Sequence, residues 1–491
     1  MTMELLALLA APLVTGVICR LAPRRSWVEA LNAIGATLTL GAGLALALRV
    51  FRSGPVTALG DLLYVDALGA LITLVIVVVG FLAALYSTGY IKRDVEHGKV
   101  PDGHVGWYYL GYHAFIWTML VTGTVNNLGL LWVAIEATTI VSALLVGFYR
   151  TKAALEAAWK YLVLCTVGIT FALFGVLLTY YASLHALGEE AGLNWTALVA
   201  HANQLDPGLI KLAFVFVLIG FGTKAGFAPL HNWLPDAHSQ APSPVSAVLS
   251  GVLLKCGLYG VLRFHMIAAG TLGPEFSSRL LLGFGLLSVV VAVPFILVQR
   301  DLKRLLAYSS VEHLGLIAVA IGLGGPLGLY AGLLHLLNHA ITKPLLFFVA
   351  GNLSHRYGTT RMARIRSAVQ TMPLTGTMLL LGIFAITGVP PFGIFVTEFG
   401  VIGAGFALGN TPVALVVIAA VVIVFAGAFG HALDMAFGRP RVRLSPVLIG
   451  PLGTVALVVP MALMVLFGLY VPPPISQVVR QVAQILGGGG L

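Results

Sequence analysis

Residues 211–235 read KLAFVFVLIGFGTKAGFAPLHNWLP. The run is apolar enough to enter a bilayer, yet Lys224 sits in its middle, among Gly220, Gly222 and Gly226 and ahead of Pro229 and Pro235. An ammonium at the centre of a membrane helix costs about 2.5–3.5 kcal/mol on insertion scales. A chain retains such a group where a polar cavity, a partner charge or a proton-transfer role offsets that cost. Proline removes a backbone donor and clashes with the preceding turn, so a helix opens there. Open backbone persists at membrane depth only where protein or water satisfies it. The stretch therefore predicts a broken transmembrane helix with an ionisable group beside the break.

The same pattern recurs at Thr387-Gly388-Val389-Pro390-Pro391-Phe392-Gly393, with Glu398 just beyond it. Glu136, Lys255 and Lys343 also lie inside apolar segments. Five such residues in one chain point to a charge pathway through a membrane.

The composition agrees. Of 491 residues 59% are hydrophobic and 9% charged, with mean hydropathy +0.98, against about 25% charged in ordinary soluble domains. Apolar runs recur from end to end, about fourteen of them at about 20 residues each. They are centred near residues 11, 40, 75, 117, 138, 171, 220, 255, 289, 313, 339, 388, 424 and 459. The first is not expected to be a cleaved signal peptide, because Arg20, Arg24 and Arg25 follow it instead of preceding it. The fold expected is an all-α membrane protein of about 14 transmembrane helices, with helices 7 and 12 broken. The breaks are five segments apart, the pattern of two inverted five-helix repeats. The expected organisation is helices 1–3 in 1–105, one repeat (helices 4–8) in 106–270, the second (helices 9–13) in 271–440, and helix 14 with a tail in 441–491.

The net charge of +10 does not indicate a nucleic-acid partner. Basic residues cluster in alternate connections: Arg20, Arg24 and Arg25; Lys92, Arg93 and Lys99; Arg150, Lys152 and Lys160; Arg300, Lys303 and Arg304; Arg356, Arg361, Arg364 and Arg366; Arg439, Arg441 and Arg443. The intervening connections hold Arg49, Arg52, Lys211, Arg263 and Arg279. By the positive-inside rule the first set is cytoplasmic and both termini face outward. The location expected is the cell inner (cytoplasmic) membrane, multi-pass, with lipid as the surrounding partner.

Cys19, Cys165 and Cys256 are isolated in apolar segments, without the paired spacing of iron–sulfur, zinc or covalent haem sites. They read as small apolar packers. No Gly-rich dinucleotide or phosphate loop is present in the sequence. No cofactor is therefore expected on this chain, and redox or nucleotide chemistry is expected on other subunits.

His335, His339 and Lys343 are spaced by four, which stacks them on a helix over about 12 Å. Imidazoles exchange protons near neutral pH, so the column suits a proton relay. A metal or haem site would need further ligands, and plain hydrogen bonding between helices is the bland alternative. Glu136 is a candidate partner for Lys224, because a carboxylate that moves or changes charge makes a buried lysine take or release a proton. A static Glu–Lys bridge is the competing reading. Lys160, His231, Asp236 and His313 are secondary candidates.

The run Gly220–Gly251, GFGTKAGFAPLHNWLPDAHSQAPSPVSAVLSG, resembles the antiporter-like proton-translocating subunits of respiratory complex I, membrane-bound nickel–iron hydrogenases and multisubunit sodium/proton antiporters. Supporting stretches are RDLKRLLAYSSVEHLG (Arg300–Gly315), HLLNHAITKPLLFFVAG (His335–Gly351) and Thr387–Phe399, and the resemblance covers roughly residues 60–435. It implies key charges at Glu136, Lys224, Lys255, Lys343 and Glu398. Glu136 would modulate Lys224, Lys255 would link the half-channels, and Glu398 would face the far side. Ser250 stands where histidine-bearing members have their base, so the linking role goes to Lys255. Glu398 and Lys255 resemble the complex I medium subunit, and Val311-Glu312-His313 resembles the hydrogenase-4 component F type. About twenty residues, ending in Gly487–Gly490, follow segment fourteen; the large complex I subunit carries a long lateral helix there.

The expected function is proton translocation in a redox-driven respiratory complex, with no catalysis on this chain. The expected partners are other membrane subunits and a peripheral redox module, and the expected ion is the proton, with sodium as the alternative. A secondary cation/proton antiporter, or a proton-driven module of another uptake complex, is the second possibility. An enzyme with its own haem or quinone site is a third, disfavoured by the missing ligand motifs.

Overall fold

The computed structural model describes residues 3–440 and 444–488, the Glu190 side chain excepted. Arg441, Arg443, Gly489 and Gly490, which entered the charge and tail expectations, lie outside the described residues. In chain order the helices are α1 (Met3–Leu21), α2 (Arg25–Ser53), α3 (Ala67–Glu96), α4 (Val105–Thr124), α5 (Leu128–Val146), α6 (Lys152–Ala191), α7 (Trp195–Ala200), α8 (Pro207–Ala225), α9 (Trp233–Gln240), α10 (Ser243–Val248), α11 (Leu254–Leu272), α12 (Pro274–Val298), α13 (Leu302–Leu323), α14 (Gly325–Tyr357), α15 (Ala368–Thr371), α16 (Pro373–Ile386), α17 (Gly393–Ala407), α18 (Thr411–Phe437), α19 (Pro451–Leu469) and α20 (Pro473–Leu486). A small antiparallel hairpin, β1 (Val56–Ala58) with β2 (Leu63–Val65), precedes α3.

Among the described residues twelve helical spans are long and apolar enough to cross a membrane. Helix α4 has comparable length but buries Tyr108, Tyr109, Tyr112 and His113. Helices α16 and α17 are apolar but short, because the chain opens between them. Leu38, Leu144, Val298 and Phe399 are among the large apolar side chains left exposed on the outside of the bundle. Such a surface suits lipid, which satisfies no backbone group and so demands helices. The spans 67–96, 243–272, 302–323 and 325–357 are instead almost wholly enclosed, and Lys255, Glu312, His313, His335, His339 and Lys343 lie on them.

Both expected breaks are present. Helix α8 stops at Ala225, Gly226 takes φ +83°, and the helical path resumes at Trp233. The opening begins later than the glycine pattern implied: Gly220 and Gly222 remain helical. Gly220 serves close packing, because a Cβ there would run into the backbone of Ala172 on α6. The second break spans residues 387–392, with Gly388 at φ +67°. A third irregularity was not anticipated. Residues Leu249–Leu253 form a π-helical turn between α10 and α11, just before Lys255. Single π-turns inside helices often sit at functional sites.

Two charges assigned to connections are inside the bundle. Arg263 lies in α11, fully buried, and makes a two-pronged ion pair with Asp66 at 2.5 and 2.7 Å. Its guanidinium stacks on Trp195 at 3.7 Å, and Asp66 also accepts from the Gly69 amide to cap α3. Lys303 is buried at the start of α13, where its ammonium donates to the Ala241 carbonyl at 2.8 Å. Helix α20 was also missed: its Val478, Val479 and Val482 are buried, and Tyr330 of α14 meets Ser476 at 2.9 Å.

Gly220→Ala should destabilise the protein by about 1–3 kcal/mol, the usual cost of overpacking, by forcing α8 off α6. Gly41→Ala, where an added Cβ meets nothing within 4 Å, should be neutral. Thermal unfolding of the two variants in detergent checks the contrast.

Candidate functional site

Lys224 occupies the last turn of α8, buried, and its ammonium donates to Tyr161 Oη at 2.7 Å and Thr139 Oγ1 at 2.8 Å. The break itself builds this pocket. It returns the chain so that the Trp233 ring packs on Tyr161, centroids 4.7 Å apart, while its indole N–H donates to the Thr223 carbonyl at 2.9 Å. Tyr161 in turn meets Ser142 at 2.7 Å.

Glu136, half-buried on α5, does not touch Lys224 directly. Its two carboxylate oxygens accept from Thr166 at 2.9 Å and from Thr139 at 3.2 Å. Thr139 thus joins the pair: its oxygen accepts from the lysine and its hydrogen goes to the carboxylate. Glu136 and Lys224 share Thr139, so the contact between them runs through a hydroxyl and is not the static ion pair considered from the sequence.

Lys255, on α11, lies beside this pocket. A Cβ on Gly257 of the same helix would sit 2.6 Å from the Ala225 amide and 3.0 Å from the Lys224 carbonyl carbon, so the glycine lets α11 pack against the end of α8. The Lys255 ammonium donates to the Ser250 carbonyl at 2.7 Å, which the π-turn presents, and meets His339 Nδ1 at 2.5 Å. His313 Nδ1 lies 2.9 Å from His335 Nε2, and His335 Nδ1 lies 2.8 Å from Thr397 Oγ1.

The hydrogen-bond network assigns the tautomers. Thr397 donates to the Ile394 carbonyl at 2.9 Å, so His335 Nδ1 is the donor towards it and His335 Nε2 accepts from His313. Lys255 donates to His339 Nδ1, which leaves the ring hydrogen of neutral His339 on Nε2. The buried Nε2 atoms of His339 and His313 have no partner among the described residues, and their rings are 5.2 Å apart. One unused donor and one unused acceptor therefore remain on adjacent imidazoles.

Lys343, one turn beyond His339 on α14, donates to the Leu306 carbonyl at 2.7 Å and to Ser309. Glu398 is 4% exposed on α17, whereas its neighbour Phe399 is 68% exposed. The carboxylate packs against Gly388, where a side chain would collide with it, and follows Thr397, the residue that holds His335. The second break thus brings Glu398 to the end of the histidine row.

Of the secondary candidates, His313 joins that row. Lys160 and Asp236 lie near the surface: Lys160 pairs with Glu156 at 2.7 Å and Asp236 at 3.5 Å, and Asp236 also pairs with Arg304. His231 sits in the first break against Phe295 and Tyr308. Several participants escaped the sequence reading. Glu312 is buried with one oxygen unpartnered, within electrostatic reach of Lys343 and Glu398. Its signal, an acid inside an apolar run, was the one used for Glu136. Thr139, Tyr161, Ser142 and Ser309 carry no such signal, since hydroxyl residues are common in membrane helices.

Comparison with known proteins places this geometry. The family described as NADH:quinone oxidoreductase/Mrp antiporter, transmembrane, matches residues 125–425, and the N-terminal family of complex I chain 5 matches residues 62–99. The hydrogenase-4 component F homologue of Methylacidiphilum infernorum (isolate V4) is 40% identical over 424 residues, 85% of this chain and 87% of that one. Hydrogenase-4 component B of Escherichia coli (strain K12) is 33% identical over 403 residues, 77% of this chain and 57% of that longer one. Among solved structures, a chain of the membrane-bound sulfane sulfur reductase, an archaeal respiratory membrane complex, superposes with TM-score 0.87 at 28% identity over 98% of this chain and 97% of that one. The chain belongs to the transmembrane family shared by NADH:quinone oxidoreductases and Mrp antiporters.

Proposed function

We propose that this protein is a proton-translocating membrane subunit of a redox-driven respiratory complex of the membrane-bound hydrogenase or complex I kind. The observation that carries this reading is the buried row of titratable side chains between the two broken helices. Protons pass from the Glu136–Thr139–Lys224 unit to Lys255, through His339, His313 and His335, and out by Glu398, with Lys343 and Glu312 beside the row. Fourteen crossings in two inverted repeats, with α4 and the α16–α17 pair joining the twelve long spans, would give the two breaks equivalent places. The connections rich in arginine and lysine lie on the cytoplasmic side, which puts the membrane in the cell's inner boundary and the termini outside.

Moving one charge against 100 mV takes about 2.3 kcal/mol, so the chain draws on its partners. These are further membrane subunits and a peripheral redox module. A second reading, cation/proton antiport, follows from the antiporter branch of the matched family. Purification of the native complex separates the two. Nickel–iron or other redox subunits in the particle support the first reading, and a particle without them that exchanges sodium for protons supports the second.

Lys224→Ala should abolish proton uptake by proteoliposomes containing the complex, read with a pH-sensitive dye, while assembly persists. Lys224→Arg should fail as well, because guanidinium stays protonated. Thr139→Val removes the group shared by Glu136 and Lys224, and should slow pumping about tenfold, the effect of losing roughly 1.4 kcal/mol of charge-assisted hydrogen bonding.

Glu398→Gln should also block proton passage with the complex intact. Redox turnover that continues in this variant with undiminished proton uptake would remove Glu398 from the route.

A further inference from the structure

Every fourth residue of α14 from His335 onward reads His335, His339, Lys343, Phe347, Gly351, His355. Such i±4 rows form a ridge that is inclined to the helix axis and winds slowly round it. Over these 20 residues the ridge rises about 30 Å, the thickness of a bilayer's hydrocarbon core. It starts against α13 and α17 and ends against α3, and half of it has no part in the route described above.

Neighbouring helices fill the two positions that lack an ionisable group. At Phe347 the buried His238 ring of α9 is stacked, centroids 4.8 Å apart and 19° from parallel. Both His238 nitrogens are buried without a partner among the described residues, and Lys343 and Lys303 are within electrostatic reach. At Gly351 the missing side chain makes room for Tyr86 and Ser243: an added Cβ would sit 2.6 Å from the Tyr86 hydroxyl and 2.9 Å from Ser243 Oγ. Ser243 Oγ, close to Tyr90, also meets no hydrogen-bond partner at full geometry among the described residues. Buried polar atoms without partners are uncommon and call for an explanation such as hydration or proton handling. Here the two His238 nitrogens, Ser243 Oγ and His355 Nδ1 lie along one ridge.

The ridge ends on a carboxylate. His355 Nε2 lies 2.9 Å from Asp94 Oδ1, and its ring stacks on Tyr90 at 4.2 Å. The Tyr149 hydroxyl lies 2.6 Å from Asp94 Oδ2 and 3.2 Å from the Tyr90 hydroxyl. Asp94 is fully buried, and the half-exposed Lys99 ammonium is 3.8 Å away. Arg93 turns aside to Asn352 at 2.9 Å. Tyr149 and Lys99, with His104 and Arg150, form the polar end of an open groove of about 1070 Å³ whose remaining walls are largely apolar, the exposed Leu144 among them. A buried acid is therefore one tyrosine away from the polar end of that groove, at the basic end of the bundle.

We propose that Asp94, His355 and Tyr149 form the intake through which protons reach His238 and the Lys343 end of the row, an assignment that rests on the proton-translocating function above. Asp94 takes a proton from the groove side and His355 passes it along the α14 ridge. The groups at Gly351 and Phe347 carry it past the two positions where α14 itself has nothing to offer.

A purely structural role, tying α3 to α14 and to the α5–α6 turn, would also bury Asp94, so the test must separate the two. The purified complex in proteoliposomes is driven by its redox reaction, and proton uptake is measured for Asp94→Ala, Asp94→Glu, His238→Phe and Lys224→Ala. Asp94→Ala should lose at least about a hundredfold of its flux, the low end of what positioned proton transfer contributes. Added formate, a small acid that substitutes for the missing carboxyl, should restore it, and Asp94→Glu should retain flux. His238→Phe keeps a ring on Phe347 and should also lose flux. Undiminished flux in Asp94→Ala while Lys224→Ala is inactive overturns the intake and leaves the function standing. A loss that neither formate nor Asp94→Glu restores marks a structural tie and overturns it too. Normal pumping by Lys224→Ala overturns the function, and the intake with it.

Discussion

The cost of removing charge from water governs this structure. An ion taken into a low-dielectric interior loses several kcal/mol of solvation, which only good partners return. The protein answers in two different ways. Arg263 is matched by a carboxylate at 2.5 and 2.7 Å and by two aromatic faces, Trp195 and Tyr259. Lys224, Lys255 and Lys343 receive no carboxylate contact among the described residues. Lys224 has two hydroxyls, Lys255 a carbonyl and an imidazole, Lys343 a carbonyl and a hydroxyl. A carboxylate in contact fixes a positive charge, whereas neutral acceptors stabilise an ammonium and still leave a neutral amine with hydrogen-bonding groups around it. The first arrangement suits a clamp, the second a group that changes charge.

Close helix approach follows from the same constraint. Neutral partners act over hydrogen-bond distance, so the helices that carry them must lie near one another. Glycine permits this: Gly168 admits Thr223, Gly220 admits the α6 backbone, and Gly257 admits the end of α8. Small residues play this part in membrane bundles generally, where apolar burial gives no drive between helices. Gly388 and Gly393 do it at the second break, one for Glu398 and the other for Asn338.

Much of this was legible in the sequence because each legible feature breaks a local rule. An ammonium or a carboxylate in an apolar run is anomalous one residue at a time, and so are prolines beside glycines in a membrane helix. Lys224, Lys255, Lys343, Glu398 and both breaks were found that way, and the helical spacing of His335, His339 and Lys343 placed them together. The rest depends on distance in space. Arg263 looked like a loop charge because it stands near the end of an apolar run and its partner is 197 residues away. Thr139 is an ordinary helical threonine until Lys224 and Glu136 meet on it. The π-turn before Lys255 is marked only by Ser250-Gly251, small residues that are ordinary in packed membrane helices. Helix α20 was taken as a tail because its apolar face is visible only at helical spacing over a short length.

The geometry of the row limits how charge can travel along it on the proposed route. Lys255 and Lys343 are within electrostatic reach of each other and of His339, and two ammonium groups near one another in a medium that screens poorly repel. Adding a proton at one therefore disfavours a proton at the other, and His339, His313 and His238 feel both. Glu312 and Glu398 oppose that repulsion from the far end, and they too cannot both be charged cheaply. A proton arriving at either end then changes the balance at the next group without any large motion of the helices. Such a row needs to hold its groups at fixed spacing more than it needs to bend, which fits a path enclosed by the most deeply buried helices of the bundle. Energy from a partner subunit has to enter where a charge can be moved or a hydroxyl turned, and Thr139, shared by Glu136 and Lys224, is such a place.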